Sequence, residues 1–223
     1  MPRLRFAHYL THREETKMSK DIDKIDNEDK KTTEKQKRVG FCFTGSFCTL
    51  ANALDAMAEL VRRGYDIVPI MSENAFYTDT RFSSAEDFSR KVEAISGRKI
   101  IHTVVDAEPL GPTVPLDALV VAPCTGNTLA KAALGITDTA ATMAIKAHLR
   151  RDRPTLIALC SNDAMSQNLG NIGTMLKRKS VYFLPMCQDS PKGKPHSLVA
   201  DMSRLPEALE AMWQGEQLRP VFT

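Results

Sequence analysis

Residues 38–71 read RVGFCFTGSFCTLANALDAMAELVRRGYDIVPIM. The stretch opens on a short apolar run, Val39–Phe43, followed at once by Thr44-Gly45-Ser46. Leu50, Ala53, Leu54, Met57, Ala58 and Val61 then recur at helical spacing up to Arg63, and Gly64 stops the run. Tyr65–Met71 is a second strand-like run. Strand, glycine turn, helix, glycine stop and strand make a βαβ unit, with parallel strands and a right-handed connection.

The alternation continues downstream. Asp87–Ile95 predicts a helix with Phe88, Val92 and Ile95 on one side, stopped by Gly97, and Lys99–Thr103 predicts a short strand. Residues 106–116, DAEPLGPTVPL, read as a loop punctuated by Pro and Gly. The apolar run DALVVA, Asp117–Ala122, is bounded by Asp117 and Pro123 and suits a parallel strand covered on both faces, with Pro123 ending it. Thr125–Leu134 and Asp138–Leu149 read as helices broken at Gly135, with Thr137 or Asp138 as the N-cap of the second. Thr155–Leu159 predicts a strand, Asn168–Arg178 a helix and Val181–Leu184 a last core strand. Pro185–Ser197 reads as a polar loop stiffened by Pro185, Pro191 and Pro195, and Leu205–Trp213 as a closing helix. The expected fold is α/β: one doubly wound, mostly parallel six-stranded sheet with helices on both faces, over residues 38–223.

Composition agrees with a core of that size. Apolar residues make up 43% of the 223, and no apolar run approaches the length of a membrane span. The formal charge of +3 is carried by the N-terminal part: residues 1–38 hold 11 Lys/Arg and 8 Asp/Glu, and the remainder is balanced at 19 of each. No basic stripe of the kind that binds nucleic acid is left on the folded part. Residues 1–37 are the polar tail of this division, and 14–38 contain only two Ile and one Met as apolar residues, so they are expected to be disordered. Met18 begins a sequence that would itself serve as a start, which leaves residues 1–17 either as an upstream extension or as a short helix over MPRLRFAHYL. The five cysteines lack CxxC or CxxH spacing, and the start lacks the apolar stretch of a secretory signal. Reduced thiols in a cytoplasmic protein follow.

Open parallel sheets bind ligands at the carboxyl ends of their strands, where strand order reverses. Thr44-Gly45-Ser46 leaves the first strand there and offers hydroxyls and amides to an anion such as a phosphate; it equally suits a plain helix cap. It is neither GxGxxG nor a P-loop, so the dinucleotide fingerprint is absent. Pro123-Cys124-Thr125-Gly126-Asn127-Thr128 leaves the central strand, and Asn127 can present its amide to a ring or carboxylate or cap the helix after it. Ser72, Glu73, Asn74, Thr78, Thr80 and Arg81 follow the second strand, and Ser161-Asn162-Asp163 follow the fifth; each group can line the same crevice or form a solvated loop. Lys192, Lys194 and His196 make a cationic cluster that, with Arg81, can receive an acidic substrate or lie hydrated on the surface. His8 and His12 stand four apart, and neither they nor His102, His148 and His196 have companions at metal-ligand spacing, so no metal site is expected. No GxSxG elbow occurs, and Cys124 reads either as small buried filler or as an exposed thiolate.

TGS after the first strand, paired with A-P-x-T-x-N after a central strand, resembles the superfamily of FMN-containing cysteine decarboxylases, which includes phosphopantothenoylcysteine decarboxylase and the flavin prenyltransferases. Within that group the chain is similar to the B subunits of dipicolinate synthase, a spore-associated family. The segments that carry this are RVGFCFTGSFCT (38–49), AEPLGPTVPLDALVVAPCTGNTLAK (107–131), SNDA (161–164) and QDSPKGKPHSLVADMSRLP (188–206). The resemblance implies FMN near the strand ends, with Thr44, Gly45 and Ser46 at its phosphate, Ser72 and Asn74 on the next phosphate-side loop, and Pro123, Thr125, Gly126 and Asn127 near the ring system. It gives Asn127, with Thr125, the substrate-contacting, catalytic part, and Arg81, Asn162 and Asp163 complete the expected substrate site. Two features of the decarboxylases are missing: a His on the loop before the central strand, where Ala107–Pro112 stands, and the P-x-M-N-x-x-M clamp, where Cys160-Ser161-Asn162-Asp163 stands.

The reaction that the resemblance implies is oxidation of a dihydrodipicolinate-type precursor to pyridine-2,6-dicarboxylate in the mother cell of a sporulating bacterium. NAD(P) belongs to a partner, the A subunit of dipicolinate synthase, and this chain contributes as one part of the oxidoreductase complex. A small dicarboxylate substrate and a homo-oligomer, a trimer or a multiple of one, are implied as well. A free-standing FMN-dependent oxidoreductase or decarboxylase, and a non-catalytic assembly protein with a vestigial flavin crevice, are the alternatives.

Overall fold

The computed structural model describes residues 36–111 and 113–223. The readings made on residues 1–35, including Met18 and the His8/His12 pair, lie outside the described residues. Strand β1 (Arg38–Phe43) leads through a single 3-10 turn (Phe47–Thr49) into α1 (Leu50–Arg62), whose Ala53, Met57 and Leu60 are fully buried, and β2 (Asp66–Met71) runs parallel to β1. Two helices follow, α2 (Glu73–Tyr77) and α3 (Ala85–Ser96), each capped by a serine. At its other end α3 is closed by Gly97 at φ 67°, a left-handed position that glycine takes without strain. After the short α4 (Val104–Ala107) comes β3 (Ala118–Cys124), every residue of which is buried. Since alternate side chains of a strand point to opposite faces, both faces of the sheet are covered here.

Helices α5 (Gly126–Leu134) and α6 (Ala140–Leu149) precede β4 (Thr155–Ser161), and α7 (Leu169–Leu176) precedes β5 (Val181–Phe183). Two further short strands, β6 (Met186–Cys187) and β7 (Leu198–Ala200), lead to α8 (Leu205–Trp213). The seven strands form one sheet in the order β2-β1-β3-β4-β7-β6, with β5 also paired to β4. All pairings among β1 to β5 are parallel; β7 pairs antiparallel with both β4 and β6. Strand order reverses between β1 and β3, which sets the switch-point crevice at the ends of those two strands.

The expected α/β class and mostly parallel sheet are therefore present, with four local corrections. Lys99–Thr103 is not a strand: only Ile101 makes an isolated parallel bridge, to Ile70. Pro123 does not end β3, which continues to Cys124 past an irregularity between Val121 and Cys124 where a proline without an N–H is tolerated. The second helix of the 125–149 pair is capped by Thr139 rather than Thr137 or Asp138, because Thr139 and Thr142 exchange side chain-to-backbone hydrogen bonds in a capping box. The sheet has seven strands rather than six, because the segment read as a polar loop, 185–197, supplies β6 and returns to β7.

Candidate functional site

The crevice is built from the ends of β1, β3 and β4. At the end of β1 the Thr44 side chain is fully buried. Its hydroxyl donates to the Pro123 carbonyl (2.8 Å) and accepts from the Thr125 amide (2.9 Å), while its own amide also donates to Pro123 O (3.2 Å). Thr44 thus clamps the outlets of two neighbouring parallel strands and faces inward rather than into the crevice. The chain then turns: the Ser46 amide donates to Thr44 O (2.8 Å), and the Thr49 hydroxyl donates to Ser46 O and to Ser46 Oγ. Gly45, between them, has no hydrogen-bond partner among the described residues and lines the crevice.

From β3, Thr125 caps α5: its Oγ1 accepts from the Thr128 amide (3.1 Å) and donates to Thr128 Oγ1 (3.0 Å). Gly126 follows, packed so closely on the end of β4 that an added Cβ would lie 2.5 Å from Asn168 Nδ2, 2.5 Å from Ser161 Oγ and 2.7 Å from Asp163 Oδ1. That contact explains the glycine better than any turn requirement. The Asp163 carboxylate gathers the other side: Oδ1 accepts from the Ser161 hydroxyl and from Asn168 Nδ2 (2.9 Å), and the Asp163 carbonyl accepts from the Ser166 and Asn168 amides. Asn127 is exposed beside this cluster.

These elements enclose a cavity of about 730 Å³, within the usual range of ligand pockets. Gly45, Ser46, Arg81, Thr125, Gly126, Asn127, Asn162 and Asp163, all expected from sequence, line it. Thr44, Ser72, Asn74 and Pro123 do not: Thr44 and Pro123 brace the wall from behind, Ser72 caps α2 by accepting from the Ala75 amide, and Asn74 sits outside, next to Gly45. Of the cationic cluster read in the last loop, Lys194 reaches the cavity, whereas Lys192 and His196 do not line it. His102 is also absent from the lining; its ring stacks on Phe76 at 3.8 Å.

Sequence reasoning missed Phe47, Cys48, Thr49, Phe82, Cys160, Asp189, Ser197 and Val199 as lining residues. Several arrive through β7, whose Val199 and Leu198 lie opposite Cys160 and Ser161 of β4 and carry the 188–197 loop over the cavity. The signal that pointed there was the charge of Lys194. Its ammonium pairs with Asp189 at 2.7 Å. That ion pair holds the Asp189 carboxyl below its usual range and raises Lys194 above its own. Arg81, the other cation of the lining, stacks over Phe82 with its guanidinium carbon 4.8 Å from the ring centroid. Burial pushes the Cys160 thiol up to about 11, and burial with the neighbouring thiols pushes Cys124 well up too, so neither is a thiolate near neutrality. Cys124 is therefore buried filler, and Cys48 is the exposed cysteine of the cavity.

With that geometry in place, the comparisons decide the lineage. The Flavoprotein family profile matches residues 27–203. The chain belongs to the Flavoprotein family. This flavoprotein-family chain is 40% identical over 188 residues to the B subunit of dipicolinate synthase from Bacillus subtilis (strain 168), covering 84% of its own length and 94% of the relative's. It is similar to the crystal structure of the dipicolinate synthase B subunit from Bacillus halodurans C at 41% identity and a TM-score of 0.77, covering 84% of this chain and 96% of that one. The FMN-dependent cysteine decarboxylase SpaF shares the fold, at 24% identity and a TM-score of 0.59 over 81% of this chain and 97% of that one. Among the described residues no helix is long and apolar enough to cross a membrane.

Proposed function

We propose that this chain works as the B-type component of a dipicolinate-synthase-like complex, and that its switch-point crevice holds FMN beside a small dicarboxylate. The observation that carries the reading is the convergence on one cavity of Gly45, Ser46, Arg81, Thr125, Gly126, Asn127, Asn162 and Asp163, which leave separate strands or their loops. The residues suit the flavin. Gly45, whose amide has no partner among the described residues, and Ser46, which carries a hydroxyl, both line the cavity and can donate to a phosphate, and a cavity of about 730 Å³ is large enough for a bulky ligand. Bound FMN would supply a two-electron redox centre in the crevice.

The chain's own residues have the following parts. Thr44 fixes the spacing of the two loops from behind. Thr125 sets the start of α5, leaving Asn127 exposed to orient the ring or carboxylate of the substrate. Arg81 and Asn162 supply a cation and an amide for a carboxylate, and Asp163 holds Ser161 and Asn168 in place beneath Gly126. In the complex, a dihydrodipicolinate-type precursor loses a hydride to oxidised nicotinamide on the companion chain and a proton to solvent, giving pyridine-2,6-dicarboxylate. That the two dipicolinate synthase relatives are themselves subunits supports a companion chain. We take this chain to form a homo-oligomer, a trimer or a multiple of one, in the mother cell cytoplasm.

The test is reconstitution with the companion chain, following nicotinamide reduction. Asn127→Ala is expected to lower turnover at least about tenfold while leaving the complex assembled. Full turnover by Asn127→Ala and Ser46→Asp in an intact complex would leave this chain with an assembly role alone. Turnover without the companion would make it a free-standing enzyme.

A further inference from the structure

A second concave surface lies away from the crevice, against the start of β5. It is a groove of about 930 Å³ between the end of α7, the start of β5 and residues 215–222. Its charged lining residues are Lys177, Arg178, Lys179 and Arg219. Through Arg178 it continues into a smaller hollow of about 260 Å³ that adds Lys146 and Arg150. No Asp or Glu lines either part.

All six cations are exposed, and none has an ion pair or a side-chain hydrogen bond among the described residues. Elsewhere Arg38, Lys131, Lys194 and Arg204 are each matched to a carboxylate. The dipoles of α6 and α7 account for placing Lys146, Arg150 and Lys177 at helix carboxyl ends, but not for Lys179 and Arg219, which come from separate segments beyond those helices. The walls are fixed. Gln217 pins the C-terminal segment to β5, its Oε1 accepting from the Phe183 amide (2.8 Å) and its Nε2 donating to the Phe183 carbonyl (2.7 Å). The groove is also apolar in part, with Leu176 and Phe222 exposed at 37% and 51% beside the cations.

We infer that this groove is the docking site for an acidic segment of the companion chain, with aliphatic or aromatic side chains seated against Leu176 and Phe222. The inference rests on the reading that a companion exists. Charge complementarity carries the choice of occupant: the groove offers six cations and no carboxylate, so an acidic segment matches it, whereas a two-fold contact would set those cations against the same six of a mate.

The experiment measures how tightly the companion chain binds the full-length protein, at low and high salt, for the wild type and for Arg178→Glu/Arg219→Glu. Both side chains are exposed and make no hydrogen bond or ion pair among the described residues, and a thermal melt run alongside checks that the fold is kept. Binding at least about tenfold weaker in the double variant, with a flattened salt dependence and unchanged FMN affinity and homo-oligomeric mass, supports the inference. Lys91→Glu, an exposed reversal elsewhere, is expected to bind like the wild type. Equal binding by the wild type and the double variant overturns the docking site while leaving the companion reading intact. Loss of the homo-oligomer in the double variant overturns it in favour of a contact between copies. A wild-type chain that binds no companion overturns both.

Discussion

The Thr44 hydroxyl and the Thr125 amide are joined at 2.9 Å across the point where strand order reverses, and the same hydroxyl donates to Pro123 O at 2.8 Å. One buried side chain thereby fixes the distance between the two loops on which the crevice depends.

Replacing Thr44 by valine keeps the shape and removes both bonds, leaving the Thr125 amide without its acceptor. A loss of about 1–3 kcal/mol in unfolding free energy is expected, read by chemical denaturation. Thr44→Ser should recover most of it. Equal stability of the valine and serine variants would show that the clamp is not structural.

Gly126→Ala forces a methyl group to within 2.5 Å of Asn168 Nδ2 and Ser161 Oγ. Overpacking of this kind costs about 1–3 kcal/mol, and the Asp163 cluster must shift to accept it. Both a lower melting temperature and weaker ligand binding are expected. A variant that melts and binds like the wild type would contradict the close packing of α5 on the end of β4.

His148 is 1% exposed, with Nε2 on the Pro154 carbonyl (3.0 Å) and Nδ1 without a partner. Burial pushes its pKa down to about 4 from an ordinary value of 6.5. The folded protein therefore binds this proton less well than the unfolded chain does. The contribution is fully present above pH 6.5 and is lost as pH falls toward 4, by at most about 3 kcal/mol. His148→Gln can still donate to Pro154 O and cannot become charged, so its stability should fall less over that window. Parallel acid limbs for the two proteins would show that His148 does not titrate this way.

Much of the sheet was legible because β1 to β4 are apolar runs bounded by Gly, Asp or turn residues, and α1 and α3 carry helical periodicity on one face. What was not legible depends on contacts distant in sequence. β6 and β7 are two and three residues long, too short to show a period, and exist because the chain folds back antiparallel onto Cys160 and Ser161. Asp189, Ser197 and Val199 reach the crevice by that route alone. Thr44 was legible as a residue of the turn, but its inward rotation was not, since only the nearness of Pro123 and Thr125 makes a buried hydroxyl there satisfiable. Lys99–Thr103 shows the converse: a strand-like run whose only bridge is Ile101 to Ile70, at the sheet margin beside β2.

Lys194→Ala should remove one of the two cations lining the crevice and free Asp189 from its ion pair. Dicarboxylate affinity is expected to fall by about tenfold, more at low salt than at high, and titration calorimetry would measure it. Unchanged affinity would assign the carboxylates to Arg81 and the backbone amides.

The most direct measurement is an ultraviolet–visible and fluorescence titration of the purified chain with FMN, repeated with Ser46→Asp. Saturable binding with perturbed flavin bands and quenched emission, abolished by the aspartate that puts a negative charge beside Gly45, is the expected result. Failure to bind FMN at any concentration, or equal binding by Ser46→Asp, would contradict the placement of a flavin phosphate at the β1 turn.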